Sequence, residues 1–513
     1  MKELFEQVNK LFEFLGPISN LMWEFPRNFE WYTKIPILGE FTFAILLLIG
    51  AGILFTFKLG FVQVRYFKKS IDILKRKEQS DTGLSPMAAF LLSSATRIGP
   101  GNIMGVTGAI TTGGPGALFW MWVSAFFGMA TSFVEATLSQ IFKEKKDDTY
   151  VGGIAYYGRR LLGNYKIFGA LIALAYIVYA LFTLPGQVFH MFTAFGGVAS
   201  RITGVTYGRT DLVYIIIGVL IIVTTIPIVF GGIKRVAKIT DVMVPIMAIV
   251  YFLIAFILII INYDKIPLFF TSVIGGAFSP QAMFGGAFGI AMQQGIKRGL
   301  MSNEAGQGTI TMAAASSDAK HPVEQGFVQS FGVFVDTFVI CTISGFLVVI
   351  AQIWNVNGID FAGMVDSKLD VYNTSLAVLS PGILEEPVQV IMSFCYGLFA
   401  FSTVLGMIAF IDICASEISK TKGFSIFTKL ISSGVFVPFG VVCVWTGMEL
   451  DNIWVISDFV NVMMVFINVP LVLLGIRYVK KALKHYEKND GSKFTGSVIG
   501  QELTYWDNID NNE

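Results

Sequence analysis

The residues best suited to chemistry lie where apolar runs are interrupted. Arg97-Ile98-Gly99-Pro100-Gly101-Asn102 places a proline between two glycines inside an otherwise apolar stretch. Pro100 lacks an N–H and disfavours helical geometry at the residue before it. A second apolar stretch contains Gln293-Gln294-Gly295 and runs into Ser302-Asn303-Glu304-Ala305-Gly306. Irregular backbone at membrane depth must line a cavity or be buried in protein. A broken helix frees N–H groups, which suit a carboxylate, and carbonyls, which suit a cation such as sodium. Asn102 offers a donor and an acceptor at the first break. Gln293 and Gln294 are candidates for a ligand's amino or carboxylate group, with helix-to-helix hydrogen bonding as the alternative.

Ionisable residues inside apolar runs form a second group: Arg97, Glu135, Asp241, Asp336, Asp412 and Asp458. Such residues mark ion pathways or hold a bundle together as charge pairs. Arg97 is expected to pair with one of the acids, with Glu135 and Asp336 the deepest and Asp241 and Asp412 interfacial. Cys341, Cys395, Cys414 and Cys443 form no CxxC pair and read as small buried hydrophobes. The three histidines are scattered, no nucleophilic triad is visible and no Walker A sequence is present. These features argue against an enzyme, an organic cofactor and direct coupling to nucleotide hydrolysis.

The elements that must hold these residues are set by composition. Of 513 residues, 54% are hydrophobic and 14% charged, against roughly 25% charged in an ordinary soluble chain. The mean hydropathy is +0.66. Too few polar residues are present to cover a soluble surface, so the solvent is expected to be a lipid bilayer. The net charge of +1 excludes a nucleic acid as the main partner, and no obligate protein partner is evident. Residues 1–36 mix charges with Trp23 and Trp31 and do not read as a cleaved signal.

A spanning helix needs about 20 mostly apolar residues. Qualifying runs lie near 38–57, 84–110, 115–142, 167–192, 212–230, 242–261, 282–300, 326–353, 387–413, 429–446 and 453–476, about eleven helices in an all-α polytopic membrane protein. Of 37 basic residues, 28 fall after odd-numbered helices and eight in the alternate connections, with Arg97 inside a helix. The positive-inside rule then places the N-terminus outside and the C-terminus in the cytoplasm, in the plasma (inner) membrane. Trp354, Trp445 and Trp454 fall at expected outer helix ends. The tail beyond Lys493 reads as polar and disordered.

The two interrupted helices lie five helices apart, an odd spacing that means inverted topology. Corresponding broken helices in two inverted halves point to the binding site of a secondary transporter. The expected organisation is an external segment 1–37, an extra helix with a basic cytoplasmic linker 38–83, a five-helix repeat 84–262, an inverted five-helix repeat 263–480 and a cytoplasmic tail 481–513.

Arg97-Ile98-Gly99-Pro100-Gly101-Asn102-Ile103-Met104-Gly105-Val106 resembles the first signature of the alanine/glycine:cation symporters, also called sodium:alanine symporters. Gly113-Gly114-Pro115-Gly116-Ala117-Leu118-Phe119-Trp120-Met121-Trp122 and Phe126-Phe127-Gly128-Met129-Ala130 continue it. Arg298-Gly299-Leu300-Met301-Ser302-Asn303-Glu304-Ala305-Gly306 is similar to a second signature. Gly231–Lys238 and Phe334-Val335-Asp336-Thr337 are further matches, so the likeness runs from about residue 84 to 480.

The resemblance implies a leucine-transporter-like fold, five plus five inverted helices with one extra at the N-terminus. It implies sodium-coupled uptake of a small neutral amino acid such as alanine or glycine by alternating access. Sodium is the coupling ion. Proton coupling is the alternative, and a passive channel a more remote one. By matching positions, sodium falls to the carbonyls of Ala95 and Ile98 and the hydroxyls of Ser402 and Thr403. The substrate carboxylate falls to amides near Gly99 and Gly101. Gln187 and His190 fall near a position of polar substrate contacts. The family usually has Thr at Pro100 and Trp at Met407, and its Tyr-Gly-Glu is replaced around Ile411-Asp412. The softer Met407 makes room for a somewhat larger neutral amino acid.

Overall fold

In the computed structural model, residues 16–35, 38–76, 83–278, 287–353, 358–364, 367–446, 450–488 and 491–508 are described below. The chain is almost wholly helical. A short antiparallel hairpin, β1 (Glu144–Lys146) and β2 (Thr149–Val151), pairs Glu144 with Val151. The main helices are α1 (Phe43–Lys58), α2 (Pro86–Arg97), α3 (Met104–Gly113), α4 (Gly116–Ile141), α5 (Lys166–Thr203), α6 (Leu212–Phe230) and α7 (Gly232–Ile261). They continue with α8 (Ala287–Asn303), α9 (Thr311–Ala315), α10 (Pro322–Ile353), α11 (Glu385–Ala415), α12 (Lys422–Trp445) and α13 (Leu450–Lys488).

Eight helices among the described residues are long and apolar enough to cross a membrane. Shorter apolar α1 matches the expected first helix, and the two interrupted stretches become α2–α3 and α8–α9. Several helices outlast their expected bounds, among them α13, which runs on to Lys488, and α12, which begins at Lys422. α5 runs on to Thr203, and α7 begins at Gly232, so Lys234, Arg235 and Lys238 lie on its first turns. Helices Ile266–Phe278 and Lys368–Leu379 were not expected.

The interrupted helices sit at the centre. α2 packs against α7 and α11, while α8 packs against α3 and α4. Ser85 caps α2 by accepting the Ala88 N–H at 3.1 Å, with Pro86 at the first helical position, where its missing N–H costs nothing. Leu84 forms a parallel bridge with Ser317, tying the start of α2 to the end of α9. α10 contains a π-helical stretch, Phe334–Cys341, that carries Asp336. Such widened turns are frequent at functional positions.

The expectation of a disordered tail is wrong for residues 494–508. Phe494, Ile499, Leu503, Tyr505 and Trp506 are all buried. The Trp506 indole donates to the Gln140 carbonyl at 2.7 Å, and Asp507 accepts the amides of Gly496 and Leu503, both at 2.6 Å. The apolar residues of this segment cover the end of α4 rather than water.

Candidate functional site

The first break is held open by its own sequence. Ile98 makes the last helical bond of α2, to the Ser94 carbonyl at 2.8 Å. Gly99 is then fully extended, at φ −133° and ψ −167°. The Asn102 amide bonds the Gly99 carbonyl at 3.1 Å, which leaves the Ile98 carbonyl outside the helical ladder. Asn102 Oδ1 accepts the Gly99 N–H at 2.9 Å, and Nδ2 donates to Asp336 Oδ1 at 2.6 Å. Asp336 also accepts Ser302 and Thr337, each at 2.8 Å. Asn102 thus braces the break against α10 and α8. In this arrangement the Asn102 side chain and the Gly99 amide, both expected at the substrate, are engaged within the protein.

The second break follows Asn303. Glu304, Gly306 and Gly308 take left-handed backbone at φ +58°, +96° and +76°. Glu135 Oε1 on α4 accepts the amides of Gly306 and Gly308, both at 3.1 Å, and the Asn468 side-chain amide. Gln293 and Gln294 lie in the middle of α8, well before this break, and neither lines the cavity described next. Gly295 there serves close packing instead, since a Cβ would stand 2.3 Å from the Ala117 carbonyl.

Between the breaks lies a cavity of about 20 Å³, bounded by Gly99, Gly101, Gln187, Glu304, Thr403 and Met407 among others. That is room for about one water molecule. Tyr179, Thr183 and Gln187 share one face of α5 at helical spacing and all reach it. Gln187 Oε1 is buried and has no hydrogen-bond partner among the described residues. His190, one turn on, is absent from the wall and bonds the Tyr396 hydroxyl at 2.5 Å. Its expected place beside substrate is therefore not supported by the geometry. Tyr396 satisfies this buried ring.

Beside the cavity, Ser402 and Thr403 on α11 both donate to the Ala95 carbonyl at 3.1 Å. A Cβ on Gly99 would stand 2.8 Å from Thr403 Oγ1 and 3.3 Å from the Thr96 carbonyl. Uncharged oxygens from two helices therefore crowd one spot at the end of α2. Such hard oxygen donors match a hard cation.

The charges are arranged differently from expectation. Arg97 is buried but has no carboxylate within ion-pair distance among the described residues. It donates to the Gln329 carbonyl at 3.2 Å, Gln329 Oε1 at 3.1 Å and Ser132 Oγ at 2.9 Å. Lys297 and Arg298, counted with the basic connections, instead sit within α8 and pair with Asp458 at 2.6 and 3.0 Å. Asp412 pairs with Lys429 at 2.9 Å. Sequence reasoning did not single out Thr96, Thr183 or the Glu304 carboxylate as part of the wall. The spacing of Tyr179, Thr183 and Gln187 was the signal available for α5.

Comparison with known proteins agrees with this architecture. The Eremococcus coleocola manganese transporter superposes with a TM-score of 0.53 at 12% identity, over 83% of this chain and 82% of that one. That likeness shows a shared fold. Among curated sequences, the "Probable sodium/glutamine symporter GlnT" of Bacillus subtilis is 34% identical over 86% of this chain and 87% of its own. The sodium/alanine symporter AgcS of Methanococcus maripaludis is 32% identical, over 82% and 88%. The amino-acid carrier protein AlsT of Bacillus subtilis is 38% identical, over 65% and 67%. The model of the sodium:alanine symporter family matches residues 30–498. The chain is a membrane transporter and belongs to the sodium:alanine symporter family.

Proposed function

We propose that the protein takes up a small neutral amino acid by sodium-coupled symport with alternating access. The observation that carries this reading is the meeting of Ser402, Thr403 and the Ala95 carbonyl beside Gly99. Sodium bound there, with the Ile98 carbonyl as a further ligand, ties α2 to α11. It thereby shapes the cavity whose wall includes Gly99, Gly101, Gln187 and Met407. Ion and substrate sites that share a broken helix are coupled, because ordering it for one lowers the cost of binding the other.

The cavity is too small for an amino acid as it stands, so Met301 and Met407 must shift on binding. Their unbranched side chains suit that movement. The reading places the N-terminus outside and the C-terminus in the cytoplasm, with repeats at 84–262 and 263–480 and one repeat's bundle rocking against the rest. α1 is the added helix of an eleven-helix bundle.

The test is uptake of labelled alanine, glycine, serine and glutamine into liposomes. An inward sodium gradient is compared with potassium at matched pH, then with an imposed proton gradient. Concentrative uptake that requires sodium is expected. Uptake driven by protons alone would transfer the coupling role to the buried acids Glu135, Glu304 and Asp336.

A further inference from the structure

Among the described residues that line the cavity, Glu304 is the only acid and Arg97 the only base. Arg97 turns its guanidinium away, to Gln329 and Ser132. Glu304 is held by both broken helices. Its Oε2 accepts Thr96 Oγ1 at 3.1 Å and Thr309 Oγ1 at 2.7 Å. No basic side chain stands within 4.0 Å of it among the described residues.

Its backbone is left-handed, at φ +58°, a conformation that a residue with a long side chain adopts rarely and at a cost. That geometry opens the second break and places the carboxylate in the wall. Arg97 shares the wall but makes no ion pair with Glu304, and a carboxylate in a site of low dielectric with no cation in contact is costly unless one joins it. A zwitterionic amino acid carries that cation as its α-ammonium group. The other polar side chains lining the same cavity, the amides of Gln187 and Asn461 and several hydroxyls, are neutral.

We propose that Glu304 receives the α-ammonium group of the substrate and so selects amino acids over carboxylates that lack an amine. The inference rests on the reading that this cavity binds an amino acid. It adds the group that distinguishes alanine from lactate, two molecules of nearly equal size that differ at the α-substituent.

The full-length protein is tested with alanine and lactate, by uptake in liposomes and by ligand-induced shift of its unfolding temperature in detergent. Wild type should be stabilised by alanine and not by lactate. Glu304→Gln should raise the alanine KM roughly tenfold and erase the preference for alanine over lactate. Sodium binding without amino acid, read with labelled sodium, should stay within about twofold of wild type, well under one tenfold step. Glu304→Asp keeps the charge, suits left-handed backbone and should keep the preference, which separates charge from misfolding.

An unchanged preference in Glu304→Gln overturns the proposal. So does a parallel loss of sodium binding, which would make Glu304 a cation ligand. If wild-type transport proves independent of sodium, the temperature shift still decides the role of Glu304. If no amino acid stabilises wild type, the proposal falls together with the substrate reading.

Discussion

Thr403 Oγ1 donates to the Ala95 carbonyl at 3.1 Å across the contact between α11 and α2. Together with the matching bond from Ser402, it joins the end of the first broken helix to the helix that carries both hydroxyls. A hydroxyl there keeps a lone pair for a cation while its proton serves a carbonyl. Thr403→Ala removes one oxygen from the proposed sodium site, whose other ligands are uncharged. The sodium concentration for half-maximal uptake should rise roughly tenfold, about 1.4 kcal/mol. Thr403→Ser should stay close to wild type. Sodium titration of alanine uptake checks both.

Gly99 should report on the same site through space alone. Its φ of −133° suits any residue, so a substitution meets no backbone strain. The added Cβ of Gly99→Ala would instead stand 2.8 Å from Thr403 Oγ1 and push that hydroxyl aside. Sodium dependence should weaken as in Thr403→Ala. The double variant should be little worse than either single one, because both act on one oxygen. Strictly additive losses would place the two residues in separate roles.

Gly99-Pro100-Gly101 was legible as a break because no helix continues smoothly through that tripeptide. The second break was harder to locate. Glycine has two uses in membrane helices, and Gly295 has the other one, letting Ala117 and Trp120 approach. The turn that opens α8 falls at Glu304, where a glutamate takes left-handed backbone that its residue type does not advertise. The partner that holds it, Glu135, is 171 residues from Gly306, and no local pattern encodes such a pairing. Ser402 and Thr403 were recognised through resemblance, since adjacent hydroxyls on a helix usually bond the preceding turn. Here each single proton is shared between two acceptors, the Phe399 carbonyl of the preceding turn at 2.9 Å and the Ala95 carbonyl at 3.1 Å.

Asn102 bridges a backbone amide and a carboxylate that are both fully buried. Asn102→Ala leaves the Gly99 N–H and one side of Asp336 without partners. Each unsatisfied buried group costs about 1–3 kcal/mol, so the unfolding temperature in detergent should fall clearly. Asn102→Asp should be worse, since a second carboxylate would face Asp336 Oδ1 where the amide now donates at 2.6 Å. An unchanged unfolding temperature in both variants would mean that the break needs no brace.

Glu417 gives the protein a pH dependence outside the membrane-spanning helices. Glu144 and Glu417 share one guanidinium, with Arg159 at 2.6 Å from the first and 2.8 Å from the second. Lys420 pairs with Glu144 at 2.8 Å and acts on Glu417 only through its charge at longer range. Burial disfavours ionisation of Glu144, but these cations hold its carboxyl below the ordinary value. Burial pushes Glu417 up to about 7, against the pull of Arg159 and helped by the charge of Glu144. A raised folded-state value means that the folded protein holds the proton more tightly than the unfolded chain. The resulting stabilisation is full below about 4.5, the ordinary value, and is lost as pH rises through about 7. Glu417→Gln, which cannot ionise, should flatten this part of the profile. Unfolding temperatures measured from pH 4 to 8 test the sign; a wild type whose contribution from Glu417 grows with pH across that window would refute it.

The folded tail offers the largest expected loss of stability from a single side chain. Trp506 is 3% exposed, and its indole donates to Gln140 at 2.7 Å. Its ring stands 5.1 Å from Lys143 Nζ, while those of Tyr150 and Tyr505 stand at 4.3 Å. Lys143 also donates to the Ser317 carbonyl at 2.9 Å, beyond the end of α9. The tail therefore caps a lysine that links α4 to the second broken helix. Trp506→Ala should cost about 3–5 kcal/mol, the range for removing a buried large aromatic side chain. Lys143→Met tests how much of this comes from the charge, since it keeps the stem and removes the ammonium. A coupling of about 0.5–2 kcal/mol in the double-mutant cycle is expected for a cation held over rings. Zero coupling would assign the contact to packing alone.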